Sequence, residues 1–177
     1  GEPVYHAICW QSRQTAPICE RMKKQEGLEE LINQKTGLLI DPYFSASKIR
    51  FILENVSGVQ QQVDAGEIMM GTVDTWLMWN LSGKRAHVID YTNASRTLLL
   101  NIHTLDWDDE LIDKIGVPKS ILPQLKPSSC EALAMTDPDV FFGQEIPISG
   151  DAGDQHAATI GQTCFEPGMA KNTYGTS

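Results

Sequence analysis

Residues 146–162 read Ile-Pro-Ile-Ser-Gly-Asp-Ala-Gly-Asp-Gln-His-Ala-Ala-Thr-Ile-Gly-Gln, and residues 166–177 read Glu-Pro-Gly-Met-Ala-Lys-Asn-Thr-Tyr-Gly-Thr-Ser. The first stretch predicts a short apolar strand, a glycine-punctuated turn, and an acid, Asp154, opening a helix of small residues. The second predicts a tight turn and another strand ending in Gly175-Thr176-Ser177. Such a layout holds a carboxylate and a phosphate-sized anion close together. The phosphate-side turn has barely begun at Ser177, so the expectation is a piece of a longer protein.

Upstream of this stretch, strands and helices alternate. Residues 5–10 are an apolar run fit for a strand. Residues 17–32 read as helix, broken near Gly27, with Ile18, Met22, Leu28, Leu31 and Ile32 at helical spacing; Gly37 ends it. Asp41-Pro42 marks a boundary, and Ser45 is read as the N-cap of a helix through Ile49, Ile52 and Leu53. A brief strand is predicted over 67–70. A helix then starts at Thr72 or Asp74, carries Trp76, Leu77 and Trp79, and stops at Ser82-Gly83. Another strand is predicted over 86–89. Thr104 or Asp106 is read as the cap of a helix through Leu111, Ile112 and Ile115, ended by Gly116. Residues 126–144 are the least regular stretch and are read as a surface excursion. Alternation of this kind argues for an α/β fold.

At 177 residues, one domain with a sizeable core is expected. The net charge of −9 and the lack of a Lys/Arg cluster disfavour nucleic acid and anionic membrane surfaces as partners. Cys9, Cys19, Cys130 and Cys164 form no C-x-x-C pair and the four histidines add no ligand spacing, so no metal ligand set is expected and the thiols read as reduced. No apolar run reaches the ~18 residues of a membrane span, and no basic-then-apolar signal opens the chain. The expected location is cytoplasmic.

Two places could carry chemistry. A carboxylate at a helix N-terminus is favoured in its ionised form by about 0.3–1 kcal/mol, and one beside a bound alcohol can accept its proton. On the residues alone, Asp154 is either such a base or an N-cap. Asp151, three residues earlier, reads as a turn or solvent residue, or as an acid that shares a magnesium ion with Asp154 through water. Gly175-Thr176 could bring backbone N–H groups and a hydroxyl to a phosphate, or be an ordinary turn. There is no G-x-x-x-x-G-K-[ST] loop and no G-x-G-x-x-G. Trp10, Tyr43, Asn93 and Gln155 could line a small polar pocket. Trp76, Trp79 and Trp107 are read as packing residues.

Seven segments, in order over nearly the whole chain, carry a resemblance. They are Ala7-Ile8-Cys9-Trp10-Gln11, Asp41-Pro42-Tyr43-Phe44-Ser45, Gly71-Thr72-Val73-Asp74-Thr75-Trp76-Leu77 and Asp90-Tyr91-Thr92-Asn93-Ala94-Ser95-Arg96-Thr97. The others are Asn101-Ile102-His103-Thr104-Leu105-Asp106-Trp107-Asp108, Gly153-Asp154-Gln155 and Gly168-Met169-Ala170-Lys171-Asn172-Thr173-Tyr174-Gly175-Thr176. Together they resemble the glycerol kinases of the FGGY carbohydrate kinase family. The resemblance implies an actin-like ATPase (ribonuclease H-like) α/β domain, a mixed sheet flanked by helices, here incomplete. It implies ATP-dependent phosphorylation of glycerol with Mg2+, in a homo-oligomeric parent. By matching motif positions, Asp154 would be the general base, Tyr43, Asp154 and Gln155 would contact glycerol, and Trp10 would wall its carbons. Thr176 with Gly175 would contact the nucleotide phosphates. The alternatives are a kinase of this family for another polyol or ketose, and a non-catalytic binding module of the same fold.

The chain departs from the family's pattern at three positions beside the site. Ser177 stands where the family usually has glycine, Asp151 where it is commonly apolar, and His156 where an amide is common. The acidic and aromatic stretch 136–145 does not match the basic, glycine-rich loop with which some bacterial relatives bind a sugar bisphosphate regulator. The resemblance casts residues 1–177 as the partial N-terminal glycerol-binding domain. The family's upstream phosphate hairpin and downstream nucleotide domain are absent from it, so turnover by these residues alone is not expected.

Overall fold

The computed structural model describes residues 1–174. Helix α1 (Ala16–Lys23) opens with Pro17 in its first turn, where the missing N–H costs nothing. Helix α2 (Leu28–Thr36) follows the Gly27 break, where φ is 74°. Gly37, at φ 71°, takes the left-handed conformation that ends α2 and returns its N–H to the Asn33 carbonyl. The third helix, α3 (Ser45–Asn55), starts at Ser45 with Phe44 in the capping position. Its first N–H groups are met by the carbonyls of Arg96 and Thr97, at 3.4 and 3.0 Å, so no side-chain cap is needed and Ser45 is not one.

Two helices follow before the first strand: α4 (Val59–Asp64) and α5 (Val73–Leu81), the latter within the expected limits. Strand β1 (Val88–Asp90) runs into the single turn α6 (Tyr91–Ala94). Strands β2 (Leu100–Asn101) and β3 (Asp106–Trp107) form a small antiparallel hairpin. That hairpin consumes Asp106, so the cap of α7 (Asp109–Ile115) moves on to Asp108, whose side chain accepts from Leu111 N–H at 3.0 Å. Gly116 ends α7 as expected.

Beyond α7 come β4 (Gln124–Lys126), β5 (Ser129–Met135), β6 (Pro147–Gly150) and α8 (Asp154–Gly161). Strand β1 pairs with β4 in parallel and β5 with β6 antiparallel, with a register irregularity between Ser129 and Ala134. The expected mixed, incomplete sheet is present as three two-stranded pairs among the described residues, one parallel and two antiparallel. Three strand expectations fail for one reason: a strand needs a ladder partner. Residues 5–10, 67–70 and 169–174 are extended or irregular and join no strand ladder among the described residues; their backbone makes isolated bonds such as Met70 N–H to the Ile121 carbonyl and Glu67 N–H to the Gln62 carbonyl. Conversely, much of the stretch read as a surface excursion is β5, found only because β6 returns to it.

The core lies between α1, α2, α3, α4, α7 and the run from Leu98 to Leu100. Apolar residues at helical spacing meet there: Ile18, Cys19 and Met22 from α1, Leu28 and Ile32 from α2, and Leu111, Ile112 and Ile115 from α7. Burial pushes the Cys19 thiol above its ordinary range, helped by the Asp41 charge and opposed by a hydrogen bond with Ser47. Lys35 ties α2 to α7, donating to Asp108 at 2.8 Å and to Glu110 at 2.7 Å. Met78, Val88 and Leu133 make a second, smaller cluster joining α5 to the strands. Helix α5 is inverted relative to its sequence. Asp74 and Thr75 face inward with Met78, while Val73 is 73 % exposed, Leu77 54 % and Trp76 45 %. Trp76 is therefore not a packing residue, whereas Trp107 is buried and donates from its indole to the Pro123 carbonyl. No helix of the described residues is long and apolar enough to cross a membrane.

Candidate functional site

The turn after Asp41-Pro42 is rigid for local reasons. Asp41 Oδ1 accepts from Tyr43 N–H at 2.8 Å, and Lys48, one turn into α3, donates to the carbonyls of Pro42 and Tyr43 at 2.5 and 2.7 Å. Burial lowers the Lys48 ammonium from its ordinary value, against the raising effect of the Cys19, Asp41 and Cys9 charges. So fixed, Tyr43 presents its ring to Trp10, with centroids 5.4 Å apart. Trp10, Gln11, Ser12, Arg13, Asp41, Pro42 and Tyr43 line a concavity of about 240 Å³. The structure thus brings together Trp10 and Tyr43, which come from segments some thirty residues apart. Behind Tyr43, the Arg96 guanidinium stacks over the Phe44 ring at 5.6 Å, and its Nε is buried without a partner. Burial lowers Arg96 from its ordinary value. In the sequence Arg96 stands only within the 90–97 motif, and nothing local announces that a guanidinium will be half-buried beside Phe44.

Asp154 is the first residue of α8, as expected, and Gly153 rather than Asp154 is its N-cap. Its side chain is exposed and accepts no hydrogen bond among the described residues, so the capping reading of Asp154 fails and its oxygens are free for a ligand. Gln155 follows it, with Oε1 accepting from Lys171 Nζ at 2.5 Å; the same ammonium donates to Thr173 at 2.6 Å and ties the 169–174 segment to α8. The Trp10–Tyr43 pair and the Asp154–Gln155 pair are not joined by any hydrogen bond or ring contact among the described residues. Gly175 and Thr176 lie outside the described residues.

A web around Asp90 launches α8. Asp90 is fully buried at the end of β1 and caps α6. Its Oδ1 accepts from the backbone and side-chain nitrogens of Asn93 at 2.9 and 2.8 Å. Its Oδ2 accepts from Thr92 N, Thr92 Oγ1 and Ser128 Oγ at 2.9, 2.6 and 2.6 Å. Burial pushes this carboxyl up, but those donors outweigh it and hold it below the ordinary range. Thr92 Oγ1 in turn accepts from Gly153 N–H at 2.8 Å, at the start of α8. Asn93, expected to line a pocket, is instead part of this web and reaches Asp151 Oδ1 at 3.4 Å.

Asp151 departs from its expected place. It is half-buried, and its carboxyl meets those of Asp74 and Asp90, one oxygen of each lying within 4.8 Å of the others. Burial, with the Asp74 and Asp90 charges, pushes it up to about 7. The grouping was invisible in the sequence because its members come from α5, the end of β1 and the turn before α8. The one local sign was an aspartate in a position the resemblance makes apolar.

Comparison with known proteins places this geometry. The N-terminal domain of the FGGY family of carbohydrate kinases matches residues 1–161. A glycerol kinase of a Geobacillus species is 62% identical over 99% of the chain, and one from Thermus thermophilus 60% identical over the same share. The chain spans about a third of those relatives, 35% of each. The crystal structure of Plasmodium falciparum glycerol kinase with ADP superposes over 93% of the chain and 32% of its own, with TM-score 0.83 and 36% identity. A xylulose kinase from Rhodospirillum rubrum, 17% identical over 95% of the chain and 34% of its own, shares the fold with TM-score 0.79. The fold is thus the α/β fold of the actin-like sugar kinases, seen here in part. Its elements, its ordered motifs and the match along residues 1–161 lead to one conclusion: this chain belongs to the FGGY family of carbohydrate kinases.

Proposed function

We propose that the protein takes part in ATP-dependent phosphorylation of glycerol to sn-glycerol 3-phosphate. The observation that carries this reading is the identity of about 60% to proteins named glycerol kinase, sustained over 99% of the chain. Residues 1–177 are read as the glycerol-binding part of the N-terminal domain. Asp154 accepts the proton of the attacking hydroxyl, and its exposed, unpartnered carboxylate is suited to that role. Gln155, its carbonyl oxygen engaged by Lys171, turns its amide N–H groups to a glycerol hydroxyl. Trp10 and Tyr43 supply an apolar wall and a phenol at the concavity. Glycerol is small and almost wholly polar, so directional hydrogen bonds must do the selecting. A site group left without its hydroxyl partner costs about 1–3 kcal/mol.

ATP, carried with Mg2+, would supply the phosphoryl group, and its phosphate contacts are assigned to Gly175 and Thr176. The chain's own contribution is to hold the triol and remove a proton at Asp154. A cytoplasmic, homo-oligomeric enzyme with glycerol and ATP/ADP as its ligands completes the reading. Replacing Asp154 with Asn in an active form of the protein should lower kcat by about 10²–10⁴-fold with glycerol affinity little changed. A rate equal to the parent's would remove Asp154 from the chemistry. Faster ADP release with ribitol or xylulose than with glycerol would reassign the substrate.

A further inference from the structure

The turn between β6 and α8 is held at two backbone points. Asp151 N–H donates to the Ser128 carbonyl at 2.9 Å, and Gly153 N–H to Thr92 Oγ1 at 2.8 Å. The Asp151 side chain makes a third approach, toward Asp74 on α5 and Asp90 at the end of β1. Asp90 is saturated by its five donors. Asp74 is not: it is 8 % exposed, and both its oxygens are buried without a partner, as is Oδ2 of Asp151. Unpaired buried carboxylate oxygens are costly, so something must neutralise this group.

The candidates are a cation and a proton. The charged groups around Asp151 are Asp74 from α5, Asp90 from β1, Lys126 beside Asp90 on β4, and Asp154 and His156 on α8. Neither Lys126 nor His156 makes an ion pair or hydrogen bond with Asp151 among the described residues. A metal ion finds a poor site here. Asp90 has no lone pair to spare, which leaves two carboxyls, and Asp74 sits in the first turn of α5, at its positive end. That same end favours negative charge on Asp74, against the burial that pushes its carboxyl up, and Asp151, with two neighbouring carboxyl charges against it, is the one pushed furthest. A proton on Asp151 needs one O–H···O contact and satisfies orphaned oxygens on both residues.

We propose that Asp151, in its protonated form, donates a hydrogen bond to the Asp74 carboxylate and so fastens the 150–153 turn to α5, setting where α8 presents Asp154. Asp151 is then a positioning residue; its consequence for phosphoryl transfer rests on the function proposed above, while the tether itself does not. The upward displacement of Asp151 to about 7, caused first by burial, agrees with it. The folded value lies above the ordinary one of about 4. The tether needs Asp151 protonated and Asp74 ionised, and burial pushes the Asp74 carboxyl up as well, so its contribution declines as pH rises toward neutrality and is gone above about 7.

The test uses the 177-residue chain and its Asp151→Asn, Asp151→Ala and Asp74→Asn variants, melted from acid to alkaline pH, with amide-exchange protection factors read along α8. The asparagine at 151 keeps a donor toward Asp74 at every pH. The parent's advantage over Asp151→Ala should shrink with rising pH and vanish above neutrality, while that of Asp151→Asn stays constant. Protection over Asp154–Gly161 should fall above neutrality in the parent and not in Asp151→Asn, with α1 to α3 unchanged. The carboxyl carbon of Asp151, followed by NMR, should titrate near neutrality and return toward the ordinary carboxylate range in Asp74→Asn. A carboxyl carbon titrating in the ordinary range in the parent overturns the tether, as does an Asp151→Asn variant as pH-sensitive as the parent. A rise in melting temperature with Mg2+ or Mn2+ that Asp151→Asn abolishes also overturns it, in favour of a cation. If the tether holds and Asp154→Asn leaves phosphoryl transfer intact, the proposed function fails and the tether stands.

Discussion

Among single residues, Asp90 organises more of the site than any other acid described. Its carboxylate draws in α6, Ser128 from the β4–β5 connection and, through Thr92, the start of α8. Truncation to alanine strands those donors in a buried place, and hydrogen bonds to charged groups are worth about 1.5–3 kcal/mol each before relaxation. Asp90→Ala should therefore lower unfolding free energy by about 3 kcal/mol, measured in denaturant. The carboxyl is held below its ordinary value, so its contribution is present above about pH 4 and is lost as pH falls through the depressed folded value. The parent should lose stability in acid more steeply than Asp90→Ala; equal acid profiles would mean the hydrogen bonds contribute nothing to folding. Such a residue cannot be read from sequence, because its partners are set by where β4 and the α8 turn return. Asp154, by contrast, was legible at once, since the helix it opens is announced by its own neighbours.

Elements separate in the same way. Helices α1, α2, α5 and α7 were legible to within a few residues because glycine stops and apolar spacing are local. Strands are not: β5 lies in a stretch whose sequence reads as irregular, and residues 5–10 read as a strand without forming one, since a ladder is defined by a partner elsewhere in the chain. Helix α5 shows the limit of periodicity, because its length is right and its facing is reversed. Its outward residues, Val73, Trp76 and Leu77, lie exposed, while Asp74 and Thr75 turn inward, Asp74 toward Asp151. An exposed apolar helix face promotes association. Changing Val73 and Leu77 together to Lys should reduce self-association in sedimentation experiments and leave the melting temperature nearly unchanged, since exposed substitutions cost within about 0.5 kcal/mol. A large drop in melting temperature would show that this face is packed in solution.

At the scale of the whole molecule, the helical core and the site elements are unequally secured. One continuous apolar cluster joins α1, α2, α3, α4 and α7, whereas α8 contributes no buried residue and depends on polar ties to Asp90, Thr92 and Lys171. Opening of the site should precede loss of the core. Cys19 offers a way to time the two. Its thiol sits inside that cluster with its ionisation suppressed by burial, while Cys9 is exposed. A thiol-reactive dye should therefore modify Cys9 quickly and Cys19 only as fast as α1 and α2 part, which makes Cys19 a clock for global opening. A Cys19 rate matching that of Cys9 would mean the helical core breathes as freely as the surface.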